Sequence, residues 1–335
     1  MKNEKWFKDI LSSVKFGEGF PIAKFYYHPL YRVGVGKNSD LDYIFGRNRK
    51  LPLKNLRKFK FFRFEAPFPT DSVIFFQSGR KRLIIASQKE GKVLKVSVSP
   101  EQLSLLEGEI KELKHQNQSE FASHSVKLLD HGTNWIMTSF CSNRDSVVGM
   151  PILELHELVM GPMTKFYSSH DWKKVSLKEW LIEAKKRAKG HPSILLIQKV
   201  ISQLEQGPDF ELINGQLHFD LHQGNVLRDK DHLVIIDWEV SHSGLLIVDY
   251  FDFYRRLVKE ERISTKDLSH GHVLQDFYSG FQDWLKLFGI NLPAGHEKAI
   301  LRLYSLERTL IYFEKWNENR LDDKAGFEFK VTLLD

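Results

Sequence analysis

The sequence has almost no cysteine and no long apolar segment. Cys141 is the only cysteine among 335 residues, which excludes an internal disulfide framework and a zinc site built from cysteines. No run approaches the roughly 18 apolar residues that a membrane span requires. The charged N-terminus also lacks the apolar core of a signal peptide. We therefore expect a cytoplasmic protein without a membrane span.

Repeats, low-complexity segments and Pro-rich or Gly/Ser-rich linkers are absent as well. Hydrophobic residues make up 42% of the sequence and charged residues 27%, a composition typical of globular proteins. At 335 residues the chain exceeds the size at which one hydrophobic core usually stops growing. Two lobes or domains are therefore expected.

The net charge of +6 is concentrated near the N-terminus. Residues 1–70 contain 15 Lys and Arg against 6 Asp and Glu, and aromatic residues lie between the basic ones. Such a surface could bind nucleic acid, anionic lipid or a phosphorylated substrate. An ordinary solvated surface is the simpler interpretation, and we do not expect nucleic-acid binding. We interpret this segment as a basic, aromatic-rich N-terminal extension.

Runs of β-branched and aromatic residues separated by turn signals predict a sheet after residue 70. The predicted strands are 73–76, 83–86, 93–96, 126–129 and 135–138. Between the third and fourth of them, apolar residues at helical spacing predict a helix over 101–115. The sequence thus predicts a β-rich lobe with one helix over residues 71–141.

The remainder of the chain, residues 142–335, is predicted to be mainly helical. Helical periodicity is strongest over 176–189, 193–206, 247–260 and 296–315. A β-hairpin around 216–237 interrupts the helices. The predicted fold class is therefore α+β, with a small β-rich lobe followed by a larger helical lobe.

The predicted hairpin carries the strongest chemical signal in the chain. Phosphoryl transfer to a hydroxyl needs a carboxylate near the acceptor and cations that neutralise charge on the phosphates. Asp220 is the candidate base. Asn225 and Asp237 offer the oxygen ligands that Mg²⁺ prefers. Each residue alone is explained by an ordinary turn or cap, but their joint spacing beside two apolar strands favours a catalytic and metal site.

Two motifs at this hairpin resemble those of the aminoglycoside phosphotransferase and choline kinase-like family, which has a protein kinase-like fold. His218–Asn225 reads HFDLHQGN, where the family has H-G-D-L-H-x-G-N, and Ile236–Glu239 reads IDWE, where the family has I-D-[WF]-E. The resemblance extends over roughly residues 70–320. It implies ATP and Mg²⁺ as cofactors and a small-molecule hydroxyl as acceptor. Phe219 is the one departure, because the family usually has Gly there.

The resemblance also implies nucleotide contacts in the β-rich lobe. Lys95 on the third strand is expected to steady the α- and β-phosphates and to pair with Glu109, with Glu112 as the alternative partner. A phosphate-binding turn is expected at Ser78 and Gly79, although a hairpin turn without a ligand role fits equally well.

The adenine ring is expected against the segment that connects the two lobes. Met137 and Ser139 lie in that segment and are the candidate contacts. The hydrogen bonds there would come from backbone groups that the sequence does not identify.

Four further residues are expected to support the site. His218 is expected to hydrogen-bond the backbone of the loop, and His222 to orient Asp220 or the acceptor. Glu239 completes the second motif. Asp249 is expected to cap a helix and to link it to the catalytic loop.

Two other functional classes remain open from the sequence. His218, Asp220, His222, Asp237 and His242 could be ligands of a transition metal in a metallohydrolase, which would leave Asn225 and Lys95 unexplained. A pseudokinase that binds nucleotide without turnover would agree with Phe219 and with the poor glycine loop.

The acceptor is the least defined part of the prediction. A sugar, polyol or amino alcohol is favoured, and an aminoglycoside antibiotic is the alternative. Residues 145–215 and the C-terminal helices are expected to line its pocket, and fold analogy alone does not choose a substrate.

Overall fold

The computed structural model describes residues 82–97, 100–141, 152–229, 232–260, 272–292 and 295–317, together with four earlier strands. The chain forms two compact units. One comprises residues 1–117 and 125–144, and the other comprises residues 118–124 and 145–335. No helix in the described part of the chain is long and apolar enough to cross a membrane.

The first unit is built on an antiparallel sheet of eight described strands, in the order β3-β1-β2-β4-β5-β6-β8-β7. The strands are β1 (Ile22–His28), β2 (Val33–Gly36), β3 (Lys60–Glu65), β4 (Val73–Gln77), β5 (Arg82–Ser87), β6 (Lys92–Ser97), β7 (Leu128–His131) and β8 (Trp135–Ser139). All five strands predicted after residue 70 are present. The first three strands, which the sequence analysis did not assign, come from the predicted extension and join the same sheet.

One helix, α1 (Pro100–Gln116), follows β6 and agrees with the predicted helix over 101–115. Proline at the first helical position costs no hydrogen bond, since the N–H groups of the first turn have no intrahelical acceptor. Leu106 and Leu113 on α1 are buried, as are Leu94 and Val96 on β6. Because side chains alternate along a strand, Lys95 lies on the opposite face from these two β6 residues.

The second unit is mainly helical, as predicted. Its described helices are α2 (Ile152–Ser169), α3 (Leu177–Arg187), α4 (Ile194–Glu205), α5 (Ile247–Glu260), α6 (His272–Lys286) and α7 (Glu297–Asn317). The four helices predicted here correspond to α3, α4, α5 and α7. Helix α2 was not predicted, and Gly161 and Pro162 in its middle are strong local signals against a helix.

Two small antiparallel sheets complete the second unit and position its loops. Strands β9 (Lys173–Ser176), β10 (Glu211–Leu217) and β13 (His242–Leu245) form one sheet, and β11 (Val226–Asp229) and β12 (His232–Ile235) form a hairpin. Leu217 lies opposite His242, and Val226 lies opposite Ile235. The segments 218–225 and 236–241 therefore lie side by side.

An aromatic cluster supports these two segments from within the core. The indole of Trp238 is fully buried, and its Nε1 donates to the carbonyl oxygen of Ile235 at 3.0 Å. Its ring centroid lies 4.4 Å from the rings of both Phe166 and His218. The tryptophan of the second motif is thus a packing residue that fixes the turn on which Asp237 and Glu239 lie.

Candidate active site

His218 begins the loop between β10 and β11 and is hydrogen-bonded through both ring nitrogens. Its Nε2 lies 2.9 Å from the carbonyl oxygen of Ile236, and its Nδ1 accepts from the backbone N–H of Asp220 at 3.2 Å. A carbonyl only accepts and an amide N–H only donates, which assigns a neutral ring with its proton on Nε2. Burial lowers the pKa of His218 and outweighs the opposing hydrogen bond to Ile236. The ring holds the two segments together without a charge.

Asp249 holds the backbone of the same loop. Its carboxylate accepts from the backbone N–H groups of His218 and Phe219, both at 2.7 Å, and from the hydroxyl of Tyr167 at 3.0 Å. Complete burial raises the pKa of Asp249 to about 7, against the lowering effect of these hydrogen bonds. Helix α5 begins at Ile247, so the predicted N-cap role of Asp249 is wrong. The link to the catalytic loop is present.

Asp220 lies on the loop with its side chain 19% exposed. Its Oδ2 is 4.0 Å from Nε2 of His222, beyond hydrogen-bond distance. Nδ1 of His222 accepts from the backbone N–H of Gly224 at 3.0 Å, which leaves Nε2 as the donor nitrogen of a neutral ring. At 4.0 Å the side chains of Asp220 and His222 do not form a hydrogen bond, and the expected orienting role of His222 stays a prediction.

Asn225, Asp237 and Glu239 carry side-chain oxygen atoms on the two segments that lie side by side. Nδ2 of Asn225 donates to the carbonyl oxygen of Asp220 at 2.9 Å, and this orientation makes Oδ1 the amide atom that can bind a cation. The backbone of Asn225 is also bonded to Ile236 at 3.0 Å. Asp237 and Glu239 each have a carboxylate oxygen within 4.8 Å of the other. Carboxylate and amide oxygens are the ligands that Mg²⁺ prefers, so these residues fit the predicted metal.

Phe219 and Asp237 both adopt the left-handed backbone conformation, with φ values of 64° and 67°. Glycine adopts this conformation without the steric cost that a Cβ atom brings. This conformation explains why glycine is the usual residue of the resembled family at the position of Phe219. The ring of Phe219 is buried against Tyr312, with ring centroids 5.1 Å apart.

The comparisons with known proteins agree with this geometry. Residues 162–305, which include both motifs, match the profile of the phosphotransferase enzyme family. Over these residues the chain is similar to that family. The match agrees with the resemblance and with the kinase-type activity that the sequence motifs predicted. No curated protein matches the chain.

Solved structures of kinases show a more distant likeness. A protein of Ralstonia eutropha assigned as an aminoglycoside phosphotransferase is 11% identical, covers 79% of this chain and 89% of its own, and has a TM-score of 0.46. A Thermobifida fusca protein assigned as a fructosamine-3-kinase is 16% identical. The match covers 79% of this chain and 91% of that protein, with a TM-score of 0.46. A choline/ethanolamine kinase family protein of Mesorhizobium loti is 14% identical. The match covers 76% of this chain and 83% of that protein, with a TM-score of 0.42. Scores at this level carry no inference about the acceptor of this phosphotransferase.

The first unit of this phosphotransferase contains the predicted lysine and glutamate pair. Nζ of Lys95 donates to Oε1 of Glu109 at 2.5 Å, and the two side chains are 12% and 2% exposed. Oε2 of Glu109 is buried without a hydrogen-bond partner among the described residues. Glu112, the alternative partner, instead accepts from Nε2 of Gln116 at 3.0 Å. The choice between the two glutamates, which the sequence left open, is thus resolved in favour of Glu109.

The predicted nucleotide contacts of the first unit are described only in part. Met137 and Ser139 lie on β8, where Met137 is opposite Leu94. The N–H of Ser139 donates to the carbonyl oxygen of Lys127 at 2.8 Å, so that donor is already used within the sheet. Ser78 and Gly79 lie outside the described residues. Adenine binding here stays a prediction.

The alternative metallohydrolase site is not assembled. Both ring nitrogens of His218 are engaged by the backbone, and Nε2 of His242 lies 3.4 Å from Oε2 of Glu314. Within the described ranges, no cluster of three or more metal-ligating side chains includes a histidine. The geometry favours a hard cation on oxygen ligands.

A cavity of about 760 Å³ lies in the second unit, between the β9-β10-β13 sheet and helices α3 and α7. Its lining combines the carboxylates of Glu179, Glu183 and Glu314 with the polar side chains of Asn214 and Ser243, and two lysines and an arginine also face it. Residues from 145–215 and from helix α7 line it, in the regions where the sequence predicted the acceptor pocket, and binding of the acceptor here stays a prediction. Asp220 is not among the lining residues.

An ion-pair network at one wall of this cavity was missed from the sequence. Arg187 donates through Nη1 to Glu307 and through Nε to Glu314, both at 2.6 Å. Burial raises the pKa of Glu314, but hydrogen bonds from His242 and Arg187 outweigh it and bring the pKa to about 2. No local signal could have revealed the network, because Arg187 precedes its two partners by 120 and 127 residues.

Proposed function

We propose that this chain transfers the γ-phosphoryl group of ATP, as its Mg²⁺ complex, to a hydroxyl of a sugar, polyol or amino alcohol. The observation that carries the proposal is the joined arrangement of Asp220, Asn225 and Asp237, which the hydrogen bonds of His218 and Asn225 hold together. It supplies a carboxylate base beside a set of oxygen ligands, as phosphoryl transfer requires.

Asp220 would accept the proton of the acceptor hydroxyl as the hydroxyl oxygen bonds to the γ-phosphorus and the bond to the ADP oxygen breaks. Its side chain is partly exposed, so the carboxylate can reach such a hydroxyl, and His222 lies 4.0 Å from it. Asn225 and Asp237 would hold Mg²⁺, with Glu239 close to the second ligand. When bound, the ion neutralises negative charge that develops on the phosphates.

Lys95 would contribute a positive charge to the nucleotide phosphates. A lysine on a strand flanked by buried residues needs a charge partner to stay in place, and Glu109 provides it at 2.5 Å. The pair fixes the direction of the ammonium group before nucleotide binds, which reduces the entropy lost on binding.

The cavity of the second unit supports a polar acceptor. Its volume of about 760 Å³ lies within the range of roughly 300–1,000 Å³ typical of small-molecule sites. Carboxylates beside an amide and a hydroxyl suit a ligand that carries hydroxyl groups or an amine. His242, which lines the cavity, lies opposite Leu217, the residue that precedes the catalytic loop. An aminoglycoside antibiotic has the same chemistry and is the second candidate.

A panel of acceptors tests the proposal. Purified protein with Mg-ATP would be incubated with sugars, polyols, amino alcohols and aminoglycosides, and ADP release and the phosphorylated product would be measured. We expect one chemical class to raise ADP release well above the value with water alone. Nucleotide binding without turnover for any hydroxyl acceptor would contradict the proposal and favour the pseudokinase alternative.

A further inference from the structure

Phe219 is held in its left-handed conformation by contacts to its side chain. A residue other than glycine enters this conformation at a cost in free energy and persists there only where its surroundings hold it. The ring is 2% exposed. It lies against Tyr312, with centroids 5.1 Å apart, and Nζ of Lys315 is 5.4 Å from its centroid, within the range of a cation–π interaction. Both partners belong to α7.

Lys315 joins the catalytic loop to the segment that follows the metal-binding turn. The residue is fully buried, and its ammonium group donates to the carbonyl oxygens of Val240 and Ser241. These carbonyls come directly after Glu239. A single buried ammonium group therefore contacts the segment after Asp237 on one side and the ring of Phe219, the neighbour of Asp220, on the other.

The two helices that hold Phe219 are themselves joined. Arg308 on α7 donates to both carboxylate oxygens of Asp252 on α5, at 2.8 and 3.0 Å, and to the hydroxyl of Tyr312 at 3.0 Å. Helix α5 also carries Asp249, which binds the backbone N–H of Phe219. The backbone of Phe219 is thus fixed by α5 and its side chain by α7.

We propose that Phe219 and Lys315 are positioning residues through which helix α7 sets the location of Asp220 and of the metal-binding turn. The inference rests on the proposed phosphoryl transfer for its catalytic consequence, but not for the contacts themselves. A glycine, which the family usually has at this position, offers no ring for α7 to hold. The constraint is therefore a property of this chain.

Three variants that remove contacts, the conservative variant Lys315→Arg and one matched control test the proposal. Phe219→Gly keeps the favoured backbone conformation and removes the ring, Lys315→Met keeps the stem and removes the charge, and the double variant combines them. Leu303→Ala is the control, because Leu303 is also fully buried on α7 but lies roughly 18 Å from Lys315 along the helix. ADP release would be measured with the best acceptor, or with water if none is found. Hydrogen exchange of the segments 217–225 and 237–242 would be measured in parallel.

We expect each single variant to lower kcat by about ten-fold or more, as displacement of a catalytic group does, with KM for ATP within about two-fold of the wild-type value. The double variant should be slowed by less than the product of the two single effects, because the two substitutions share the contact between Lys315 and the ring of Phe219. Exchange should quicken over 217–225 in both single variants and over 237–242 in Lys315→Met. Lys315→Arg, which keeps a buried cation and donor, should restore most of kcat.

Two outcomes would overturn the proposal. One is a Phe219→Gly protein with wild-type kcat and wild-type exchange over 217–225. The other is a Leu303→Ala protein that has lost as much melting temperature as the variants and shows equally fast hydrogen exchange over both segments. Loss of stability alone would then explain the faster exchange. If the wild type itself shows no turnover, the proposed function fails. The exchange measurements then still decide whether α7 holds the loop.

Discussion

Two buried residues, Asp249 and His218, hold the backbone of the catalytic loop in place. Asp249 receives three donors at 2.7–3.0 Å, and His218 bridges two backbone segments as a neutral ring. Their side chains satisfy backbone groups that would otherwise be buried and unpaired, which costs about 1–3 kcal/mol each.

Asp249→Asn tests this supporting role. The amide has the size of the carboxylate, but its NH₂ group would face a donor and leave at least one hydrogen bond unmade. We expect the free energy of unfolding of the second unit to fall by about 1–3 kcal/mol, with a lower melting temperature and faster exchange at residues 218 and 219. Asp229→Asn, an exposed change on β11, is the control and should alter neither. A melting temperature equal to that of the wild type would contradict the role.

Helix α7 shows how far an element can be predicted from its sequence. Its periodicity predicted a helix over 296–315, and the structure has it at Glu297–Asn317. Its contacts could not be predicted, because Glu307 and Lys315 contact partners that lie between 62 and 120 residues away in the chain. Periodicity reports which face of a helix is buried, but not what lies against it.

The ion pair between Arg187 on α3 and Glu314 on α7 is expected to be sensitive to acid. The pKa of Glu314 is about 2 in the folded protein, against an ordinary value of 4.5. A group whose pKa is lower in the folded state stabilises the protein above its unfolded pKa, and this contribution is lost as the pH falls. We expect the melting temperature of the wild type to fall more steeply between pH 4.5 and 2 than that of Glu314→Gln. Parallel curves for the two proteins would contradict the assignment.

For the whole molecule, the parts that the sequence predicted well are those with local signals. The motifs at 218–225 and 236–239 and the β-rich and helical units have periodicity or spacing that can be seen in the chain itself. The predicted phosphate turn at Ser78 and Gly79 lies outside the described residues. The cavity of the second unit is lined by side chains from β9, β10, β13, α3 and α7 together, and no short stretch of sequence encodes such a set.

Lys95→Met tests the predicted nucleotide contact of the first unit. Lys95 belongs to the first unit, so Lys95→Met should weaken nucleotide binding, with KM for ATP raised by about ten-fold, the effect of losing roughly 1.4 kcal/mol of binding free energy. Steady-state kinetics with varied Mg-ATP measure this change. Lys89→Met, on the exposed turn between β5 and β6, is the matched control. An unchanged KM for ATP would contradict a role of Lys95 in nucleotide binding.

Turnover by Asp220→Asn tests the central proposal most directly. ADP release would be measured at saturating Mg-ATP and acceptor for the wild type, Asp220→Asn and the exposed control Asp229→Asn, with nucleotide affinity measured separately. If Asp220 is the base, kcat should fall by about 10²–10⁴-fold in Asp220→Asn only, while nucleotide affinity is retained. Equal turnover by Asp220→Asn and the wild type would show that the loop does not carry the reaction.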